Sequence, residues 1–88
     1  MSKDSDISLT REQCRAGRAL LGWSQERLSA ESLVGKKALA DFERGATAPQ
    51  PRTLRDLRRA LEAGGVLFVD ADESADIGVR LRYEKPPR

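Results

Sequence analysis

The chain has 88 residues, 39% hydrophobic and 34% charged, which fits one small globular domain and excludes a disordered chain. It has no histidine and one cysteine, so an internal disulfide and a zinc site are excluded and the usual general base is missing. The net charge of +2 says little about partners, and no apolar run suits a signal peptide or a membrane span, so a cytoplasmic protein without a cofactor, a bound metal or enzymatic activity is expected.

Residues 1–8 are polar and are expected to form a loose arm. Thr10 with Gln13 fits a capping box, with Leu9 and Cys14 at the staple positions. A first helix is expected from about Arg11 to Leu21. Cys14, Gly17, Leu20 and Leu21 mark its inner face, and Arg11, Arg15 and Arg18 a solvated outer stripe. Cys14 reads as a small core residue, not a reactive thiol. Gly22 closes this helix. Ser24 suits the N-cap of a second helix, Gln25 to Glu31, with Trp23 and Leu28 at staple positions, so Trp23 reads as a core plug. Leu33 and Val34 leave that helix, and Gly35 starts a third. There Lys36 to Glu43 carries Leu39 and Phe42 on one face with Ala38 beside them, and Gly45 is placed to end it in a left-handed conformation. So short a joint lets two helices pack at a steep angle.

Ala46 to Gln50 reads as a loop stiffened by Pro49 and Pro51. A fourth helix is expected from Arg52 or Thr53 to just before Gly64-Gly65. Leu54, Leu57 and Leu61 line its inner face, while Arg55, Arg58, Arg59 and Glu62 point elsewhere. Arg58 and Arg59 read as solvent-facing charge. The period then changes. Val66–Val69 and the alternating Val79–Tyr83 predict two strands of an antiparallel hairpin joined by an acidic loop, Asp70 to Asp76. A lone hairpin is marginal, so this one is expected to rest on helix 4 or helix 1 and to supply a dimer contact. Residues 84–88 read as a frayed tail. From Lys36 to Arg59 seven basic residues face three acidic ones, whereas Asp70 to Asp76 holds four acids and no base. A basic face set apart from an acidic loop is a pattern nucleic-acid binders show.

The stretch from Leu20-Leu21-Gly22-Trp23-Ser24-Gln25-Glu26 through Val34 and Leu39 to Phe42-Glu43-Arg44-Gly45 resembles the Cro and phage-repressor class of helix-turn-helix regulators. Within that class it is similar to the xenobiotic-response-element-like regulators of bacteria, and Pro51 to Ala63 looks like the family's next helix. The resemblance covers roughly residues 9–65. It implies a mostly α fold, a small four-helix λ-repressor-like domain, here followed by the short β-hairpin. Two positions depart from the family pattern: Ser29 stands where Ala is usual and Leu33 where Gly is usual. A left-handed leucine costs about 1 kcal/mol or more, so either the turn is strained or its geometry differs.

The resemblance implies a sequence-specific DNA-binding transcriptional regulator, expected to be a repressor that binds a two-fold operator as a homodimer. The second motif helix, about residues 35–43, would enter the major groove. Lys36, Lys37, Ala40 and Asp41 fall on its base-reading positions and Gln25 on a phosphate-contacting one. The chemistry fits. Lys donates to guanine acceptors, Asp accepts from the cytosine amino group, and Ala meets a thymine methyl. Asp41 can instead pair with Lys37 at i, i+4 and orient it. Arg44 and Arg52 are further phosphate candidates, and Glu43 is expected to hold a loop or pair with an Arg. Two rival readings share the fold. One is the antitoxin of a toxin–antitoxin pair, holding a toxin beyond Gly65; the other is a protein-interaction module without DNA. A toxin or a sensor protein is thus a possible partner in place of a built-in sensor domain.

Overall fold

A computed structural model describes residues 9–83; the expected N-terminal arm and C-terminal tail lie outside the described residues. Local chemistry sets the helix limits. The Thr10 hydroxyl accepts from the Gln13 amide at 3.0 Å and the Gln13 side chain accepts from the Thr10 amide at 3.2 Å, a complete capping box that opens α1, Arg11–Leu21. The Ser24 hydroxyl accepts from the Arg27 amide at 3.0 Å and opens α2, Gln25–Ser32, one residue longer than expected. Gly35 precedes α3, Lys36–Glu43. α4, Pro51–Gly64, starts on the proline itself, because an N–H is not needed at the first helical position.

Leu33 has φ of 64°, so the family turn geometry is kept and a leucine takes the strain. Three hydrogen bonds fix the bend: the Leu33 amide to the Ser29 carbonyl at 2.8 Å, the Ser29 hydroxyl to the Val34 carbonyl at 2.6 Å, and the Val34 amide to the Ser32 hydroxyl at 3.2 Å. The serine in place of Ala thus belongs to the turn.

Leu28, Leu39, Leu57, Leu61, Cys14 and Val66 are fully buried at the centre, with Leu9, Val34, Phe42 and Ala60 around them. Trp23 packs against this core, as expected. Its ring edge lies where a Cβ on Gly64 would come within 2.9 Å, and the Arg27 guanidinium sits 4.7 Å over the ring. Two inner-face expectations need correction. Leu20 is 41% exposed, because it stands at the edge of the stripe that Cys14, Gly17 and Leu21 define. Ala38 is exposed, because Glu43 takes the third place on the buried face of α3 beside Leu39 and Phe42.

Strands β1, Val66–Val69, and β2, Gly78–Leu81, pair antiparallel with Val66 opposite Leu81 and Phe68 opposite Val79. The ribbon packs on both α1 and α4, as the instability of a free hairpin demands. The side chain of Gln13 donates to the Gly78 carbonyl at 3.2 Å, and the Arg82 amide donates to the Gly65 carbonyl at 2.7 Å. β2 stops two residues short of the expected Tyr83: the paired register ends with Val66 opposite Leu81, and beyond it the Arg82 amide bonds only to the helix-capping Gly65. Tyr83 is 93% exposed.

Candidate nucleic-acid interface

A buried carboxylate fixes how α3 sits on the other helices. Glu43, at the end of α3, is 2% exposed. Arg18 of α1 grips it with two donors, Nε to Oε2 at 2.8 Å and Nη2 to Oε1 at 2.7 Å. Gln25 at the start of α2 donates Nε2 to Oε1 at 2.9 Å, and the Cys14 thiol donates to Oε2 at 3.1 Å. Three helices therefore meet at one side chain. Burial pushes the Glu43 carboxyl up, but the hydrogen bonds from Arg18, Gln25 and Cys14 outweigh it and leave the carboxyl below its ordinary value. Burial, with the Glu43 carboxylate beside it, pushes the Cys14 thiol well up, which keeps it protonated and inert.

The arginines of α1 do not form the plain solvated stripe that periodicity predicts. Arg18 is committed to Glu43 and to the Trp23 carbonyl at 3.0 Å, and Arg15 donates to the Glu43 backbone carbonyl. The Arg11 guanidinium covers Gly45, where φ is 84° and an added Cβ would lie 1.7 Å from it. Cations from α1 thus cap the carbonyl end of α3, which offers negative partial charge.

The opposite end of α3 presents the residues expected to read bases. Lys36 and Lys37 are exposed in a first turn that carries no acid of its own. The Lys36 ammonium reaches back to Glu26 of α2 at 2.8 Å, and Lys37 meets Asp41 at 3.1 Å. Asp41 also accepts from Arg44 Nε at 3.2 Å and Nη2 at 3.0 Å. The two cations, Lys37 first, hold its carboxyl below the ordinary aspartate value. Ala40 is half-buried beside it. These exposed pairs are weakly held in water and free to exchange for another charged partner.

Gln25 stands apart from the others. Its Nε2 is turned inward to Glu43, so one N–H of the amide is committed and one remains for a partner outside. Arg52 is exposed in the first turn of α4. Between α3 and α4 lies an open depression of about 530 Å³ lined by Lys37, Ala38, Asp41, Thr47, Pro49 and Thr53. The place of Thr47, Pro49 and Thr53 in this depression escaped the sequence reading, as did the part of Glu26 in holding Lys36. Glu43 carried a signal: a charged residue four positions after Leu39 falls on the core face and calls for a buried partner.

Among the described residues no group of His, Cys, Asp and Glu is arranged to hold a metal ion, and no helix is long and apolar enough to cross a membrane. A comparison with curated proteins gives no match. A family model described as helix-turn-helix matches residues 15–64, more than half of the chain, and spans the Arg18–Glu43 node, the strained turn and all of α2, α3 and α4. With the second motif helix presented at the surface and the match covering more than half of its residues, the chain belongs to the Cro and phage-repressor type of helix-turn-helix DNA-binding transcriptional regulators.

Proposed function

We propose that the protein is a cytoplasmic repressor that binds a two-fold operator as a homodimer, with α3 in the major groove. The observation that carries this reading is the N-terminal end of α3. A helix start disfavours cations, yet Lys36 and Lys37 stand there exposed with no acid in the same turn. An external anion or a row of base acceptors accounts for them. In this reading Lys36 and Lys37 donate to guanine, Ala40 faces a thymine methyl, and Asp41 orients Lys37 and Arg44 or accepts from cytosine. Gln25 gives its second N–H to a phosphate at the start of α2, where helix geometry favours one, and Arg44 and Arg52 flank it.

The homodimer rests on a different feature. Of the large hydrophobic side chains that stay exposed, Leu67, Ile77, Leu81 and Tyr83 lie on or beside the ribbon, against Leu20 and Leu33 elsewhere. A second copy would cover them, and the motif reads too few base pairs singly for a specific site.

The test selects bound sequences from a random duplex pool and then measures Lys36→Ala and Lys37→Ala on the winner. Each variant is expected to lose about 1–3 kcal/mol on the selected site and to relax the preference at one position. Even losses across all sequences would make the lysines phosphate contacts only. Unchanged binding by both would remove α3 from the groove.

A further inference from the structure

The cations of the four helices are nearly all committed. Lys36, Lys37, Arg11, Arg18, Arg27, Arg44 and Arg58 each form an ion pair, and Arg15 holds a carbonyl. Arg52, Arg55 and Arg59 are the exceptions. All three are exposed, and no ion pair or hydrogen bond joins them to any described residue. Their spacing, i, i+3 and i+7, puts them in one line on the side of α4 opposite Leu57 and Leu61. Three like charges in a row repel one another along a helix, and the half-buried Asp56 beside them pairs with none. The line starts next to Thr53, which shares the depression with Lys37 and Asp41 of α3.

We propose that Arg55 and Arg59 continue from Arg52 as a second phosphate-contact surface, which follows one DNA strand away from the groove that α3 reads. The inference rests on the DNA-binding reading above and extends its footprint. Seven residues of helix rise roughly 10 Å, about three base-pair rises along the axis of a duplex. The guanidinium suits this use, because it stays charged at any working pH and its donors match phosphate oxygens in pairs. Such contacts set orientation and affinity and carry no base preference.

The double variant Arg55→Ala, Arg59→Ala of the full chain separates this surface from the base-reading helix. Affinity is measured on a selected duplex and on a random-sequence duplex over a range of salt, after a thermal melt confirms folding. Each lost phosphate contact takes about 0.9 off the slope of log K against log salt, so the slope should become shallower by about 2. The fold-loss should be equal on the two duplexes, and Arg55→Lys, Arg59→Lys should restore most of the slope. An unaltered slope in a chain that still binds DNA overturns the stripe and leaves the function standing. So does a changed sedimentation with the slope intact, which would assign the stripe to the acidic loop of a second copy. A wild-type chain without affinity for either duplex at low salt overturns the DNA reading and the stripe together.

Discussion

Leu33 is 90% exposed and left-handed, with φ of 64°, an arrangement in which its side chain gains nothing from packing. Left-handed backbone costs a leucine about 1–2 kcal/mol, whereas glycine adopts it freely and loses roughly 0.5–1 kcal/mol of unfolded-state freedom in exchange. Leu33→Gly is therefore expected to stabilise the domain by up to about 1 kcal/mol, which in a chain of this size raises the melting temperature by a few degrees. Thermal melts check it, and a lower midpoint would mean the side chain has a role in the fold that its exposure hides. The sequence had narrowed this position to strain or altered geometry, and backbone angles were needed to choose. Asp41 is similar: its spacing from Lys37 was legible, but Arg44 as a second cation on the same carboxylate was not, since nothing in one dimension says which way a side chain past a helix end will turn.

At the scale of elements, helix limits were readable because they depend on neighbours in sequence. Thr10 with Gln13 and Ser24 each act within a turn of themselves, while Pro51, read as a loop stiffener, is itself the first residue of α4. The node at Glu43 was not readable in full, because its partners Arg18 and Gln25 lie 25 and 18 residues away. This node joins α1, α2 and α3, so its protonation is a property of their packing. The folded carboxyl lies below its unfolded value of about 4.3. Its contribution is accordingly complete above about pH 5 and is lost as pH falls through the unfolded value toward the folded one. Glu43→Gln leaves the Arg18 charge largely buried without a carboxylate, and about 3–5 kcal/mol of stability should go with it near neutral pH. The gap in melting temperature between wild type and variant should then narrow below pH 4. A gap of constant size across that range would show that shape at the node, not charge, sets its contribution. Gln25 depends on the same carboxylate, so the variant that folds should also bind non-specific DNA less tightly.

For the molecule as a whole, the proposed dimer has to hold two copies at operator spacing. Half-sites lie about 34 Å apart, one turn of the duplex. The longer extents of one domain, 34 and 33 Å, are of the same size as that spacing. The ribbon is a candidate for that contact: Leu67 is 41% exposed on its outer face opposite Arg80, and among the described residues each strand has one edge without a partner strand. Such edges and apolar side chains are templates for pairing with a second chain. Removing the ribbon is a poor test, because Val66 is fully buried against Leu61 and Gly17 and its loss opens the core. Leu67→Asp is a better one. It is an outer-face change that should alter the stability of one copy by no more than about 0.5 kcal/mol, while placing a desolvated charge in any interface built there. Sedimentation should show a monomer where the wild type is a dimer. Binding to a palindromic site should fall toward that of a single half-site, with the Lys36 and Lys37 base preferences intact. A Leu67→Asp chain that still dimerises as tightly as the wild type would place the interface on the helices, with the exposed ribbon left for a different protein.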